Sequence, residues 1–221
     1  MPGPEEPKRS SDLRRPASRI SLPATGAWRP GDPPAGRQFL EVGGGRPFAL
    51  EGGGSLLEVV VAYETFGALD ALASNAILVC HALTGDAHVS GASGPGQPTD
   101  GWWNDLVGPG KTLDTDRFFV VCANVLGGCQ GTTGPSSLDP SEGRPYGGRF
   151  PVVSIRDIVR TQALLADALH IERWMSVVGG SMGGMQVLEW AVMFPHRVRS
   201  IAAIATAACA SPWQIGWSQV G

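Results

Sequence analysis

The chain has 221 residues, of which 43% are hydrophobic and 17% charged, and its 17 basic residues face 20 acidic ones, giving a net charge of −3. This balance argues against nucleic acid as the main ligand, because binding nucleic acid requires a basic surface. No run approaches the ~18 consecutive apolar residues of a membrane span, so we predict no membrane association. The apolar core of a secretory signal is also missing, which predicts a cytoplasmic protein.

Residues 1–36 differ in composition from the rest of the chain. They hold eight prolines, six basic and four acidic residues, with almost no periodic apolar pattern. Such a segment buries too little surface to offset its loss of conformational entropy. We therefore predict a disordered Pro/Arg-rich extension over 1–36 and a single domain over 37–221.

The globular pattern opens with short strands. Leu40–Val42 and Phe48–Leu50 are predicted to be short strands, separated by Gly43–Gly45 and followed by Gly52–Gly54, which are typical of hairpin turns. Leu56–Phe66 is a longer strand candidate with alternating side chains. The opening of the domain is therefore predicted to be an antiparallel hairpin.

Three continuous apolar runs predict strands that are covered on both faces. They are Ala76–Cys80, Phe118–Ala123 and Trp174–Val178. Long loops, 84–116 and 127–151, follow the first two runs, and loops of that length are usually functional or disordered.

A helix is predicted between the second and third apolar runs. Ser154 is suited to the N-cap, Asp157 completes a variant of the capping box, and apolar residues recur at helical spacing up to Leu169. After the third run come a second helix, Met182–Phe194, and a further strand, Val198–Ala205. Alternating strands and helices indicate an α/β fold with a mostly parallel sheet.

The four cysteines lack the spacing of a metal site or a redox motif. Cys80 and Cys122 each lie within or directly after an apolar run and are predicted to be small buried hydrophobic residues. Asp105, Asp114 and Asp116 lack a dense pattern of oxygen ligands and are predicted to be solvated loop carboxylates. We expect no metal.

The segment 179–183 reads Gly-Gly-Ser-Met-Gly and matches the G-x-S-x-G pattern. In a chain with 31 glycines the bare pattern is weak evidence, but it stands between an apolar strand and an apolar helix, as a nucleophile elbow requires. Ser181 is the predicted nucleophile, and the backbone N–H of Met182 is one predicted oxyanion donor. A glycine-rich turn that only permits close packing, or that holds a phosphate, is the alternative.

A second oxyanion donor is expected from the loop after an earlier strand. The segment 81–85, His-Ala-Leu-Thr-Gly, directly follows the strand Ala76–Cys80. The N–H of Leu83 is the predicted donor.

Seven longer segments add to the elbow: VAYET (61–65), CHALTGDAH (80–88), GWW (101–103), GPGK (108–111), NVLGGCQG (124–131), GPSS (134–137) and GGSMGGMQ (179–186). Over roughly residues 59–221 they resemble the homoserine O-acetyltransferase family of α/β-hydrolase-fold acyltransferases. The resemblance depends on these segments together. It implies an α/β-hydrolase fold with a mostly parallel sheet and an antiparallel hairpin at its start.

The resemblance also implies a ping-pong reaction of methionine biosynthesis. Ser181 would take the acetyl group of acetyl-CoA as co-substrate and pass it to the hydroxyl of L-homoserine, with Leu83 and Met182 N–H groups stabilising the oxyanion. It implies a homodimer and no tightly bound cofactor. Succinyl transfer, serine as acceptor, or ester hydrolysis by the same elbow remain alternatives.

One part of the family's pattern is missing. The fold places an aspartate and then a histidine after the nucleophile, whereas Ser181 is followed by no aspartate and by one histidine, His196, expected in a surface turn. The chain is therefore expected to be an N-terminal portion of such an enzyme. It would have negligible turnover alone, and its sheet would leave an exposed apolar edge after Val198–Ala205.

Overall fold

The described part of the chain is built on one six-stranded sheet. A computed structural model describes residues 26–220, so residues 1–25 of the predicted extension lie outside the described residues. The strands are β1 (Gln38–Val42), β2 (Val59–Phe66), β3 (Ala76–Cys80), β4 (Phe119–Ala123), β5 (Ser176–Gly180) and β6 (Ile201–Ile204). Their order across the sheet is β1-β2-β4-β3-β5-β6.

The sheet is antiparallel at one side and parallel over the rest. β2 pairs antiparallel with both β1 and β4, whereas β4, β3, β5 and β6 are parallel neighbours. The carboxyl ends of β4, β3 and β5 therefore lie along one edge. The predicted mostly parallel α/β sheet with antiparallel strands at its start is confirmed.

Three α-helices accompany the sheet. α1 (Ile155–Ala168) begins at the predicted N-cap, where Ser154 and Asp157 form both hydrogen bonds of a capping box. α2 (Met182–Met193) directly follows β5. α3 (Pro212–Ser218) is a short helix that the apolar pattern did not predict. Single 3₁₀ turns occupy Gly147–Arg149 and Pro195–Arg197.

The predicted long strand Leu56–Phe66 is wrong as a single element. Its first residue belongs to a separate two-stranded hairpin, formed by Phe48–Ala49 and Ser55–Leu56. Leu56 and Val59 both lie in the same buried cluster. In one continuous strand, residues three apart point to opposite faces, so a break between the two lets both side chains reach one core.

The two long loops are ordered by short strand pairs. Residues 107–108 pair with 113–114, and residues 138–139 pair with 144–145. Trp102 and Trp103 pack against the smaller buried cluster, and the Trp102 indole N–H donates to the Asp86 carbonyl at 2.9 Å. These contacts favour anchoring of the loop as their role.

The last residues of the predicted extension lie against the domain. The Trp28 and Phe39 rings are 4.6 Å apart, and the Trp28 backbone N–H donates to the Cys129 carbonyl at 2.9 Å. Contacts with the domain therefore begin at or before residue 28.

The larger core lies between the sheet and helices α1 and α2. Trp174 and Trp190 are fully buried there, with their rings in edge-to-face contact at 6.3 Å. Cys80 and Cys122 are fully buried as predicted, and burial raises the pKa of both thiols. Such thiols act as small apolar side chains.

The outermost parallel strand is poorly covered. All four residues of β6 are exposed, including Ile201 at 41% and Ile204 at 47%. The predicted exposed apolar edge is therefore present.

No helix among residues 26–220 combines the length and apolarity that crossing a membrane requires.

The junction between β5 and α2 has no room for side chains at two glycines. A Cβ atom on Gly183 would lie 2.0 Å from the Cys80 carbonyl oxygen, and one on Gly179 would lie 2.7 Å from the same oxygen. At Gly180 the nearest atom, the Ile204 carbonyl oxygen, would be 3.8 Å from a Cβ, an ordinary contact. The first turn of α2 therefore packs directly on the end of β3.

These distances predict opposite results for two identical substitutions. Gly183→Ala should lower the free energy of unfolding by about 3 kcal/mol, because backbone atoms of two elements must move apart. Gly180→Ala should change it by less than about 1 kcal/mol. Urea denaturation of both variants measures the difference, and equal stabilities would show that the contact at Gly183 is not close.

The central strand offers a second matched pair. Leu78 is fully buried in β3, whereas Leu72 is 87% exposed. Leu78→Ala should cost about 2–5 kcal/mol through lost burial and a residual cavity, and Leu72→Ala about 0.5 kcal/mol or less. The same denaturation experiment measures both, and a tolerated Leu78→Ala would contradict the central position of β3.

Candidate active site

Ser181 lies at the sharp turn from β5 into α2. Its φ of 56° and ψ of −123° belong to a region that residues with a side chain rarely adopt. Such backbone strain costs about 1–3 kcal/mol and persists only where neighbours enforce it. Here the Ser181 N–H donates to the Ile204 carbonyl at 3.0 Å, and the Ser181 carbonyl accepts from the Thr206 hydroxyl at 2.8 Å.

The Ser181 side chain is exposed and stands at the N-terminus of α2. It is the N-cap residue, yet its hydroxyl makes no capping hydrogen bond. The first backbone N–H groups of a helix have no acceptor within the helix, and the helix dipole makes this end positive. Met182 contributes the first of these groups, so an anion formed at the Ser181 hydroxyl would face a favourable field.

The loop that carries Leu83 lies beside this turn. Cys80 pairs with Gly179 across β3 and β5, so residues 81–85 emerge next to the strand end that carries Ser181. The Gly85 N–H donates to the Ala82 carbonyl at 3.0 Å, which closes a turn around Leu83. The structure thus brings the three predicted site residues to one edge of the sheet. Their catalytic roles remain predictions.

His81 is buried at the base of this loop and uses both ring nitrogens. Nδ1 lies 2.7 Å from the Ala82 carbonyl oxygen, and Nε2 lies 3.2 Å from the Val125 backbone nitrogen. Burial lowers the pKa of the imidazole, although the Ala82 contact and the charge of Asp86 act in the opposite direction. His81 is therefore occupied within the loop and is not free to act as a base.

A buried chain of amide side chains joins the loop to α2, and the sequence reading missed it. The Gln186 amide nitrogen lies 3.4 Å from both the His81 and the Met182 carbonyl oxygens. The side-chain oxygen of Gln186 accepts from the Gln162 amide nitrogen at 2.7 Å. The side-chain oxygen of Gln162 in turn accepts from the Trp190 indole N–H at 2.8 Å. A glutamine on the buried face of an apolar helix was the available signal, because buried amides need partners.

Residues 86–97, which follow the loop 81–85, are fixed by a second polar cluster. His88 Nδ1 and Glu64 Oε2 are 3.0 Å apart, and both side chains are buried. Arg37 Nη2 lies 3.8 Å from Asp86 Oδ2, and the Gln97 amide donates to the same carboxylate at 3.1 Å. These contacts attach residues 86–97 to β2 and to the segment before β1.

None of the four histidines, all within residues 26–220, makes a hydrogen bond to Ser181. His81 and His88 have the partners named above, and His170 follows the end of α1. His196 lies exposed in the turn Pro195–Arg197, as predicted, one helix length of about 18 Å from Ser181. No histidine among residues 26–220 is therefore placed to act as a general base for the predicted nucleophile, Ser181. The described residues also contain no cluster of three or more residues suited to hold a metal.

Three known proteins resemble the chain over most of its length. The homoserine O-acetyltransferase of Thermobifida fusca (strain YX) is 56% identical over 197 residues, which are 89% of this chain and 51% of that protein. The crystal structure of esterase E22 superposes with a TM-score of 0.74 at 35% identity, covering 83% of this chain and 51% of that one. Homoserine O-acetyltransferase from Bacillus anthracis superposes with a TM-score of 0.68 at 34% identity, covering 77% and 46%.

The chain spans about half the length of the curated relatives it matches. The family model that matches residues 75–220 describes the alpha/beta hydrolase fold. This match includes the loop 81–85 and the G-x-S-x-G segment 179–183, and it extends over more than half of the sequence. The chain belongs to the α/β-hydrolase-fold family.

Proposed function

We propose that the chain carries the nucleophile half of an acyltransferase that moves the acetyl group of acetyl-CoA to the hydroxyl of L-homoserine, a step of methionine biosynthesis. The observation that carries the proposal is the strained, exposed Ser181 at the N-terminus of α2, beside the turn that presents Leu83. Long relatives named homoserine O-acetyltransferase, 55–59% identical to this chain, support the choice of substrates.

The reaction proceeds in two half-reactions. The Ser181 hydroxyl oxygen attacks the thioester carbonyl, and its proton leaves through a base as the tetrahedral oxyanion forms between the Leu83 and Met182 N–H groups. Collapse of this intermediate expels the CoA thiolate, which takes up a proton, and leaves acetyl-Ser181. The homoserine hydroxyl then attacks the acetyl carbonyl, and O-acetylhomoserine departs as the Ser181 hydroxyl is restored.

We infer that the base for both steps is not among residues 26–220, because no histidine there bonds to Ser181. A serine hydroxyl is a weak nucleophile near neutral pH and needs an adjacent base for turnover. We therefore expect this chain to accept an acetyl group slowly and to turn over negligibly. The homodimer and the cytoplasmic location implied by the resemblance stay predictions.

Ester hydrolysis is the second candidate function. Esterase E22 has a higher TM-score against this chain than the Bacillus anthracis transferase has. In that case water replaces homoserine as the acceptor. Transfer, by contrast, requires a site that excludes water. Acceptor choice, rather than the elbow, separates the two functions.

Labelled acetyl-CoA tests the nucleophile. After prolonged incubation, peptide mass spectrometry should find one acetyl group on Ser181, and Ser181→Ala should remove it completely. Ser200→Ala is the matched control, because Ser200 is an exposed serine bonded to the Met175 carbonyl before β6 and should not affect labelling. Acetylation that survives in Ser181→Ala would contradict the proposal.

Adding acceptor to the acetylated chain tests the substrate. L-homoserine should remove the label as O-acetylhomoserine faster than L-serine or buffer does, because the proposed second half-reaction transfers the acetyl group to that hydroxyl. Release as free acetate at a rate independent of homoserine would favour the esterase. Chromatography of the released label measures both outcomes.

A further inference from the structure

The peptide group between Ala82 and Leu83 is held by its carbonyl. Two donors converge on the Ala82 oxygen, the His81 Nδ1–H at 2.7 Å and the Gly85 N–H at 3.0 Å. In a planar trans peptide the C=O and N–H bonds point in opposite directions. Fixing the Ala82 oxygen therefore also fixes the direction in which the Leu83 N–H points, away from the turn.

Only one neutral form of His81 fits its surroundings. The Val125 N–H can only donate, so Nε2 must be bare to accept it at 3.2 Å. The Ala82 carbonyl can only accept, so Nδ1 must carry the proton. His81 is 3% exposed, and its burial lowers the pKa of the imidazole, which favours the neutral form that these two contacts require.

Hydrogen bonds of Gln186 connect the base of the loop 81–85 to helix α2. Gln186 Nε2 lies 3.4 Å from both the His81 carbonyl and the Met182 carbonyl, and Gln162 fixes the amide orientation at 2.7 Å. The loop that carries the Leu83 N–H and the turn that carries the Met182 N–H are thus held in a fixed position relative to each other.

We propose that His81 is a positioning residue, which as the Nδ1-protonated tautomer turns the Ala82–Leu83 peptide so that the Leu83 N–H faces the acyl oxyanion on Ser181. The inference rests on the proposed nucleophile, since it assigns the loop's direction to that reaction. Losing one preformed oxyanion donor slows comparable enzymes by about 10²–10³-fold. We expect an effect of that size when the direction is lost.

The tautomer is directly measurable in the full 221-residue chain. Long-range ¹H–¹⁵N spectra of histidine-labelled protein near pH 7, assigned by a His81→Ala spectrum, should show a protonated Nδ1 and a bare Nε2 for His81. Because this readout does not depend on acylation, it stays valid if Ser181 proves unreactive. A protonated Nε2, or a charged ring at pH 7, would overturn the inference.

Two amide substitutions separate positioning from packing. His81→Asn keeps a donor at the level of Nδ1. His81→Gln places its amide, which has both an acceptor and a donor, at the level of Nε2 and leaves no donor at the level of Nδ1. Both variants lose the ring. The probe is the first-order rate at which p-nitrophenyl acetate, whose leaving group needs no protonation, acetylates Ser181 at saturation. His81→Asn should stay within about 10-fold of the unaltered chain, while His81→Gln and His81→Ala should fall about 100-fold or more.

The half-saturating ester concentration and the unfolding midpoint complete the experiment. The half-saturating concentration should stay unchanged, since the donor acts on the transition state. Equal losses of rate in the Asn and Gln variants, in step with their unfolding midpoints, would assign His81 a merely structural role. If the unaltered chain and Ser181→Ala are equally unreactive, the proposed nucleophile fails, and the role of His81 in that reaction fails with it. The tautomer spectrum still tests separately whether His81 holds the Ala82–Leu83 peptide through a protonated Nδ1.

Discussion

The site depends on a close approach between two backbones, the first turn of α2 and the end of β3. No Cβ fits at Gly183 because the Cys80 carbonyl oxygen occupies that space. The approach forces the chain to reverse within a single residue, Ser181, which takes the positive φ and leaves its hydroxyl uncapped. The same approach brings the His81 carbonyl within reach of a side chain on α2. The exposed position of Ser181 and the position of the loop 81–85 beside it therefore follow from one packing contact.

Buried polar groups then convert proximity into orientation. Gln186 and His81 are buried where apolar side chains would give more hydrophobic stabilisation, and burying an amide or an imidazole is unfavourable unless its hydrogen bonds are made. Most of their partners are backbone groups of α2 and of neighbouring loops, and Gln186 also accepts from the Gln162 side-chain amide. Directional bonds of this kind fix peptide planes, which apolar packing alone does not do. The hydrogen bond between Glu64 and His88 fixes the segment after the loop 81–85 against β2 in the same way.

The sequence was most informative where structure is determined locally. Continuous apolar character predicted β3 to the residue, and the capping chemistry of Ser154 predicted the start of α1. The separate hairpin at Leu56 and the pairing of the short strands in the loops were missed, although their partners lie only five to eight residues apart. Strands of two residues are too short to show the alternating pattern that identifies a strand. For the site, the glycine spacing predicted the elbow. The orientation of the Ala82–Leu83 peptide needed the three-dimensional partners of His81, which no local pattern contains.

The least covered strand supports the most strained residue. β6 is exposed along its whole length, yet its last residue accepts the Ser181 N–H, and Thr206 just beyond it binds the Ser181 carbonyl. A strained backbone persists only while the hydrogen bonds around it hold. Exposed edge hydrogen bonds open more readily than those of a covered strand. The conformation of Ser181 is therefore linked to the order of this edge, and any contact that covers β6 also stabilises the turn at Ser181.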